Sequence, residues 1–287
     1  MTMRVLITGA GGMLGTDVVE AFSGMEVRPL AHADLDICNR DQVDGAIAEF
    51  RPHAIIHAAA FTQVDECERN PELGLKVNAL GTRNVAQAAE HADAVVVYIS
   101  SDYVFDGTKT TPYLEYDLPR PINQYGLSKL AGEEYVRTLC SHYAIVRTSW
   151  LFGCNGGNFV RKVLERAAQG EVLSVVSDQI GSPTYTRDLA EALRMILEAR
   201  IYGTVHVTNS GSCSWFELAR HVVGLAGQPQ GAVRAIRSGD FATVTRRPAN
   251  SRLENAVLRL EGLTPLRSWQ QAVEDYVRVL GPLSRSA

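Results

Sequence analysis

The segment Thr8-Gly9-Ala10-Gly11-Gly12-Met13-Leu14-Gly15 constrains the fold of this chain more than any other stretch. It follows a short apolar run rich in β-branched residues, Arg4–Thr8, and precedes a helical stretch reaching about Phe22. Glycines at a strand-to-helix junction permit a tight turn, let the backbone approach a pyrophosphate, and let the helix pack close to the strand. The amino end of the helix then offers free N–H groups and the positive end of its dipole to phosphate. The spacing is Gly9-x-x-Gly12-x-x-Gly15, because Leu14 stands where G-x-G-x-x-G would need its last glycine. Gly9, Gly12, Met13, Leu14 and Gly15 are therefore the expected phosphate cradle of a dinucleotide.

The pattern downstream agrees with that beginning. Strand-like runs are predicted at Val27–Leu30, Ala54–His57, Ala94–Ile99 and Tyr143–Arg147, and helical spacing at Asp41–Phe50, Pro71–Glu90 and Tyr125–Cys140. Repeated β-α-β units imply an α/β fold with a Rossmann-type, doubly wound parallel sheet. After Trp150 the pattern loosens, with helices expected at Asn158–Ala168, Thr186–Ala199, Trp215–Leu225 and Trp269–Leu280 and strands at Leu173–Val176 and Thr204–Thr208. The expected division is a NAD(P)-binding Rossmann domain over 1–150, with returns near 186–209, and a smaller substrate-binding domain made mainly of 151–287.

Composition limits the partners. A formal net charge of −4 and the absence of a long basic run give no footprint for nucleic acid. The amino-terminal apolar run breaks at Gly9, too early for a signal peptide or a membrane span. The five cysteines, Cys38, Cys67, Cys140, Cys154 and Cys213, form no C-x-x-C pair, which reads as reduced thiols in a cytoplasmic protein without a zinc site. The expected assembly is a monomer or homodimer.

The chemistry is carried by two short segments. Ser100-Ser101-Asp102-Tyr103 lies at the carboxyl end of the fourth strand, the edge where open α/β sheets bind ligands. Tyr125-Gly126-Leu127-Ser128-Lys129 opens the next helix, and the i, i+4 spacing puts Tyr125 and Lys129 on one face. Hydride reduction of a ketone leaves an alkoxide that needs a proton. Tyr125 is the expected donor, with Lys129 lowering its pKa and holding the nicotinamide ribose, and Ser101 orienting the substrate oxygen. In Asp34-Leu35-Asp36-Ile37, Asp36 and Ile37 stand where an acidic residue meets the adenosine of dinucleotide folds, although Asp36 is equally suited to cap the helix starting near Asn39. Arg28 and His32 keep a 2′-phosphate in play, so the cofactor is NADPH or NADH.

With those segments in view, the chain resembles the extended short-chain dehydrogenases/reductases, and among them the dTDP-4-dehydrorhamnose reductases. The resemblance rests on the Gly9–Gly15 loop, on His57–Asp65, Ile99–Gly107, Asn123–Glu133 and Arg147–Gly153, and on Asp178–Thr184 and Arg247–Leu253. The last two are the most diagnostic of the subfamily. It implies Ser101, Tyr125 and Lys129 as the catalytic set, with serine in place of the family's usual threonine. It also implies Ala58, Ala59 and Ala60 at the cofactor, supported by Asn78, and a nucleotide-sugar pocket from Ser101, Tyr103, Tyr125, Trp150, Asn158, Gln179 and Arg247. Trp150 is also suited to an interior contact, Asn158 to a helix cap and Arg247 to a solvated charge pair. Some relatives bridge a dimer with magnesium through carboxylates that have no clear equivalent here, so no metal is expected.

The implied reaction is NAD(P)H-dependent reduction of the C4 ketone of dTDP-4-dehydro-L-rhamnose. The nearest rivals are other nucleotide-sugar reductases and epimerases. Dehydratases of this fold carry an Asp-Glu pair after the Ser/Thr, whereas Asp102 is followed by Tyr103. A non-catalytic alternative is a regulatory subunit resembling that of methionine adenosyltransferase, against which the intact Ser101, Tyr125 and Lys129 set argues.

Overall fold

The computed structural model describes residues 2–240 and 243–281. The first part of the chain runs β1 (Arg4–Thr8), α1 (Met13–Ala21), β2 (Glu26–Leu30), α2 (Arg40–Phe50) and β3 (Ala54–His57). It continues through α3 (Val64–Arg69), α4 (Pro71–Leu75), α5 (Thr82–His91), β4 (Val95–Ser101), α6 (Gln124–Leu139) and β5 (Tyr143–Thr148). Then follow β6 (Leu151–Phe152), α7 (Phe159–Ala168), β7 (Leu173–Val176), β8 (Ile180–Gly181), β9 (Thr184–Tyr185), α8 (Thr186–Glu198) and β10 (Gly203–His206). The last elements are β11 (Cys213–Ser214), α9 (Trp215–Leu225), β12 (Val233–Ile236), α10 (Ala256–Leu260) and α11 (Trp269–Leu280).

One six-stranded sheet in the order β10-β5-β4-β3-β1-β2 organises the molecule. Every pairing in it is parallel. Strands such as β3 are buried along their whole length, which is why they read as continuous apolar runs. One face packs against α1 and α8 through Val18, Leu189, Leu193 and Ile196. The other packs against α2, α5 and α6 through Val43, Ile47, Val85, Ala89 and Val136. A separate core joins α7, α9 and α11 with β7 and β12 around Leu164, Leu218, Val222 and Tyr276. Around it lie three two-stranded ladders, β11-β8, β12-β7 and β6-β9.

Two departures from the sequence expectation matter for the site. The fourth strand continues to Ser101 and pairs it with Thr148, so this serine is the last residue of a buried strand. The helix expected over Pro71–Glu90 is interrupted by a π-helical stretch, Lys76–Gly81. Its central polar side chain is bonded to residues far away in sequence. Asn78, within the widened turns, accepts from the Phe61 amide at 2.7 Å, and its amide donates to the Phe61 carbonyl at 3.0 Å and to Ser128 Oγ at 2.9 Å. Such bulges recur at functional sites because they re-aim a side chain.

Candidate active site

A cavity of about 1120 Å³ runs from the glycine loop to the carboxyl ends of β4 and β5. Its floor at one end is the turn after β1. Gly9 has φ +69°, and a Cβ there would lie 2.7 Å from the Ala59 backbone. A Cβ on Gly15 would lie 2.1 Å from the Gly9 carbonyl oxygen. Only glycine lets this loop, α1 and the end of β3 meet so closely. Gly12 begins α1 without a side-chain cap, so the first-turn N–H groups face the cavity as an anion cradle. Gly9, Gly12, Met13, Leu14 and Gly15 line the cavity together with Ala58, Ala59 and Ala60. Asp36 and Ile37 line its far end. Asp36 does not cap α2: its Oδ1 accepts from the Cys38 amide, and Asn39 is the cap. A cradle of this shape, with small side chains beyond it, fits a dinucleotide.

Asn78 does not line the cavity; it works from behind. Besides pinning the loop after β3 at Phe61, it donates to Ser128, whose hydroxyl donates to the Tyr125 carbonyl at 2.7 Å. The cofactor-side loop and the first turn of α6 are thus tied through one amide. Ser128 carried no signal in the sequence beyond its place in the Tyr125–Lys129 segment.

Asn123 starts α6 by accepting from the Gly126 amide at 2.8 Å, which aims Tyr125 and Lys129 into the cavity. Lys129 is buried, as is Ser101 at the end of β4, while Tyr125 is half-buried at the cavity. Burial pushes the Tyr125 phenol well above its ordinary value; the charge of Asp102 adds to this and a hydrogen bond from Ser101 opposes it. Lys129 Nζ sits 4.2 Å from the centre of the Tyr98 ring. Burial pulls Lys129 down to about 7, with Glu133 opposing the shift. This corrects the sequence expectation. Lys129 does not draw the phenol pKa down here, because burial dominates at both groups. Beneath them His57 bonds Thr8 Oγ1 at 2.7 Å and Thr82 Oγ1 at 3.1 Å, and burial holds it neutral, down to about 3.

Tyr103 meets the Tyr125 ring edge-on, with centroids 5.7 Å apart, and lines the cavity. Trp150 lines it too, in a left-handed backbone conformation (φ +49°) that is unusual for a bulky residue. Its indole stacks on Trp215, with centroids 3.5 Å apart and planes within 5°. Gly181 makes room for it, since a Cβ at that position would lie 2.3 Å from the indole. Trp215 also lines the cavity, and sequence reading missed it because a lone aromatic at a helix start has no spacing signal.

The remaining expected substrate residues stand outside the cavity wall. Asn158 is a cap: its Oδ1 accepts from the Arg161 amide, while its Nδ2 donates to the Gly153 carbonyl and to the Tyr276 hydroxyl. Gln179 donates to Ser238 Oγ at 2.9 Å. Arg247 pairs with Asp65 at 3.5 Å, close enough to Tyr103 for both charges to act on its phenol. Their segments nevertheless fold into one wall. The Ile180 amide donates to the Ala249 carbonyl and the Ser251 amide to the Ile180 carbonyl. Asn250 donates to the carbonyls of Lys109 and Thr111, and Gly107 (φ +78°) packs against Pro248 and Ala249. Among the described residues, no group of three or more His, Cys, Asp or Glu is placed to hold a metal, and the five cysteines are free thiols.

Residues 3–281 match the RmlD substrate binding domain. The chain belongs to that family. Among its curated relatives, a dTDP-4-keto-6-deoxy-D-glucose reductase from Streptomyces niveus is 39% identical, over 95% of this chain and 96% of its own. A dTDP-4-dehydrorhamnose reductase from Aggregatibacter actinomycetemcomitans is 38% identical, over 95% of this chain and 97% of its own. The crystal structure of the dTDP-4-dehydrorhamnose reductase from Bacillus anthracis, in complex with NADP, superposes with a TM-score of 0.93 at 43% identity, covering 96% of this chain and 99% of that one. In this chain, the room that Gly181 leaves for Trp150 and the Ile180–Ala249 contact give the segments around Gln179 and Arg247 a shared structural role.

Proposed function

We propose that this protein reduces the C4 ketone of dTDP-4-dehydro-L-rhamnose, with NADPH or NADH as the reductant. The observation that carries this reading is the convergence of Ser101, Tyr125 and Lys129 at the inner end of a cavity whose other end is a glycine phosphate cradle. Gly9–Gly15, the alanines after β3 and Asp36 would hold the dinucleotide, which supplies a hydride when bound. The residues of the chain do the rest. Tyr125 carries its proton at neutral pH, because burial raises its pKa. An alkoxide takes that proton readily: water, a guide to alcohols, ionises near ~15.7 and phenols near ~10. Ser101 Oγ stands on the rigid end of β4 to orient the ketone oxygen. Lys129 supplies a hydrogen-bond donor for the ribose.

The stacked Trp150 and Trp215 offer a flat apolar surface for the nucleotide sugar. Gln179 and Arg247 lie behind the cavity wall, and an arginine fork suits a diphosphate if its contact with Asp65 opens. Tyr103 occupies the place of a dehydratase's glutamate and brings no carboxylate, which favours reduction over elimination. The name of the Streptomyces relative keeps a different 4-keto-6-deoxy sugar as the second reading. A cytoplasmic setting fits the free thiols. The test couples the two preceding biosynthetic enzymes to the purified protein and follows nicotinamide absorbance. Oxidation that requires the 4-keto sugar is expected; none with either cofactor would remove the reductase reading.

A further inference from the structure

Ser101 has a single proton and more than one claim on it. Its Oγ accepts the Tyr103 amide N–H at 3.1 Å and lies 3.0 Å from Asp102 Oδ1. If Asp102 is ionised, the serine is the only donor in that pair. Its proton then points at the carboxylate, and a lone pair is left toward the cavity. A lone pair cannot polarise a ketone. If the carboxyl holds a proton, the bond reverses. Ser101 then accepts from Tyr103 and from Asp102, and its own proton turns to the cavity side, where the Tyr125 phenol oxygen and the substrate oxygen are its acceptors.

The surroundings favour the second arrangement. Asp102 lines the cavity yet is only 3% exposed, and among the described residues it has no ion-pair partner. Its Oδ2 is buried without a hydrogen-bond partner, which costs a charged oxygen far more than a neutral carbonyl. Burial raises its carboxyl to about 7, against opposing hydrogen bonds from Ser251, Ser101 and the backbone amides of Asp102 and Tyr103. The ionisable groups that feel its charge are Tyr103 in its own turn and Tyr125 on α6, both pushed up by burial and holding their protons. Beyond them stand Asp65 and Arg247, which face Tyr103, and Cys67, which faces Tyr125.

We propose, resting on the ketone-reductase reading above, that Asp102 is a positioning residue: its protonated carboxyl donates to Ser101 and thereby turns the serine proton toward the substrate ketone. The carboxyl proton is not consumed. The group acts as a neutral donor, and reduction of the ketone is balanced by one hydride and the Tyr125 proton.

Asn at this position presents a permanent N–H donor, so Asp102→Asn separates donation from charge. Its kcat should stay within about threefold of wild type at pH 6, and the ratio of variant to wild-type kcat should rise at least tenfold by pH 9. Asp102→Ala should lose kcat at both pH values with KM little changed. In a Ser101→Ala background, Asp102→Asn should leave that ratio flat, which a merely structural role would not produce. A flat ratio in the Ser101 background of the natural protein would overturn the proposal. Infrared difference spectra of the wild-type protein give a readout independent of any variant's folding and of turnover. A protonated-carboxyl band present at pH 6 and lost by pH 9 is expected, and its absence at pH 6 would equally overturn the proposal. An inactive wild type would sink the reductase reading instead.

Discussion

The two walls of the cavity are built on different principles. The wall carrying the glycine loop, Ser101, Tyr125 and Lys129 hangs from one parallel sheet whose central strands are almost entirely buried. Its functional residues sit at strand ends or in the first two turns of helices, where sheet geometry fixes them. The opposite wall, with Trp150 and Trp215 and with Gln179 and Arg247 outside the lining behind it, is assembled from two-residue strands and contacts between distant segments. The first wall suits chemistry that needs atoms fixed within a fraction of an ångström, while the second can vary to suit different sugars.

That contrast can be broken most forcefully beneath the first wall. Arg147 and Glu133 form a fully buried bidentate pair at 2.9 and 2.7 Å that ties β5 to α6, and Ser100 donates to the same carboxylate at 2.6 Å. Arg147→Met leaves the buried Glu133 with only Ser100 and the longer Arg137 contact at 3.6 Å, and should cost about 3 kcal/mol in denaturant unfolding. A loss under 1 kcal/mol would mean that the catalytic wall is not held this way.

On the second wall the effect should appear in binding. Trp150→Ala removes the stack on Trp215 and should raise KM for the sugar nucleotide about tenfold, roughly 1.4 kcal/mol, with kcat little changed. A fall in kcat with unchanged KM would place Trp150 in the chemistry instead. Smaller still, Asn158→Ala should cost about 1 kcal/mol of stability as a lost helix cap, read from the denaturation midpoint, and leave KM alone. A tenfold rise in KM would restore Asn158 to the substrate pocket.

The smallest effect is a slope. Lys129 titrates at about 7 in the fold against 10.5 ordinarily. Below pH 7 both folded and unfolded chains hold its proton, and the cost of burying the charge is fully present. Between the two values only the unfolded chain keeps the proton, so stability should rise with pH across that window. Lys129→Met should flatten the rise in urea midpoint between pH 7 and 9. An unchanged slope would show that Lys129 is not the group responsible.

The same division explains what could be read from the chain alone. Parallel strands buried on both faces announce themselves as apolar runs, and Tyr125 and Lys129 declare a shared face by their spacing. The π-helical stretch around Asn78 was hidden, because the partners that hold it, Phe61 and Ser128, lie 17 and 50 residues away. The strands β8, β9 and β11 are two residues each, too short for any periodicity. Asn158 and Gln179 looked like ligand contacts, and the structure spends their polar groups on a cap and on Ser238. Asp102 escaped a role of its own because nothing in the sequence reveals that its carboxyl is enclosed without a cation.

The most direct test of the central claim is single-turnover reduction by Tyr125→Phe, with reduced cofactor and the 4-keto sugar both at saturating concentration. Loss of the phenolic donor should slow the burst of nicotinamide oxidation by about 10²–10⁴-fold, while the Kd for the cofactor stays within about twofold of wild type. A burst at near-wild-type rate would contradict the assignment of Tyr125 as the proton donor.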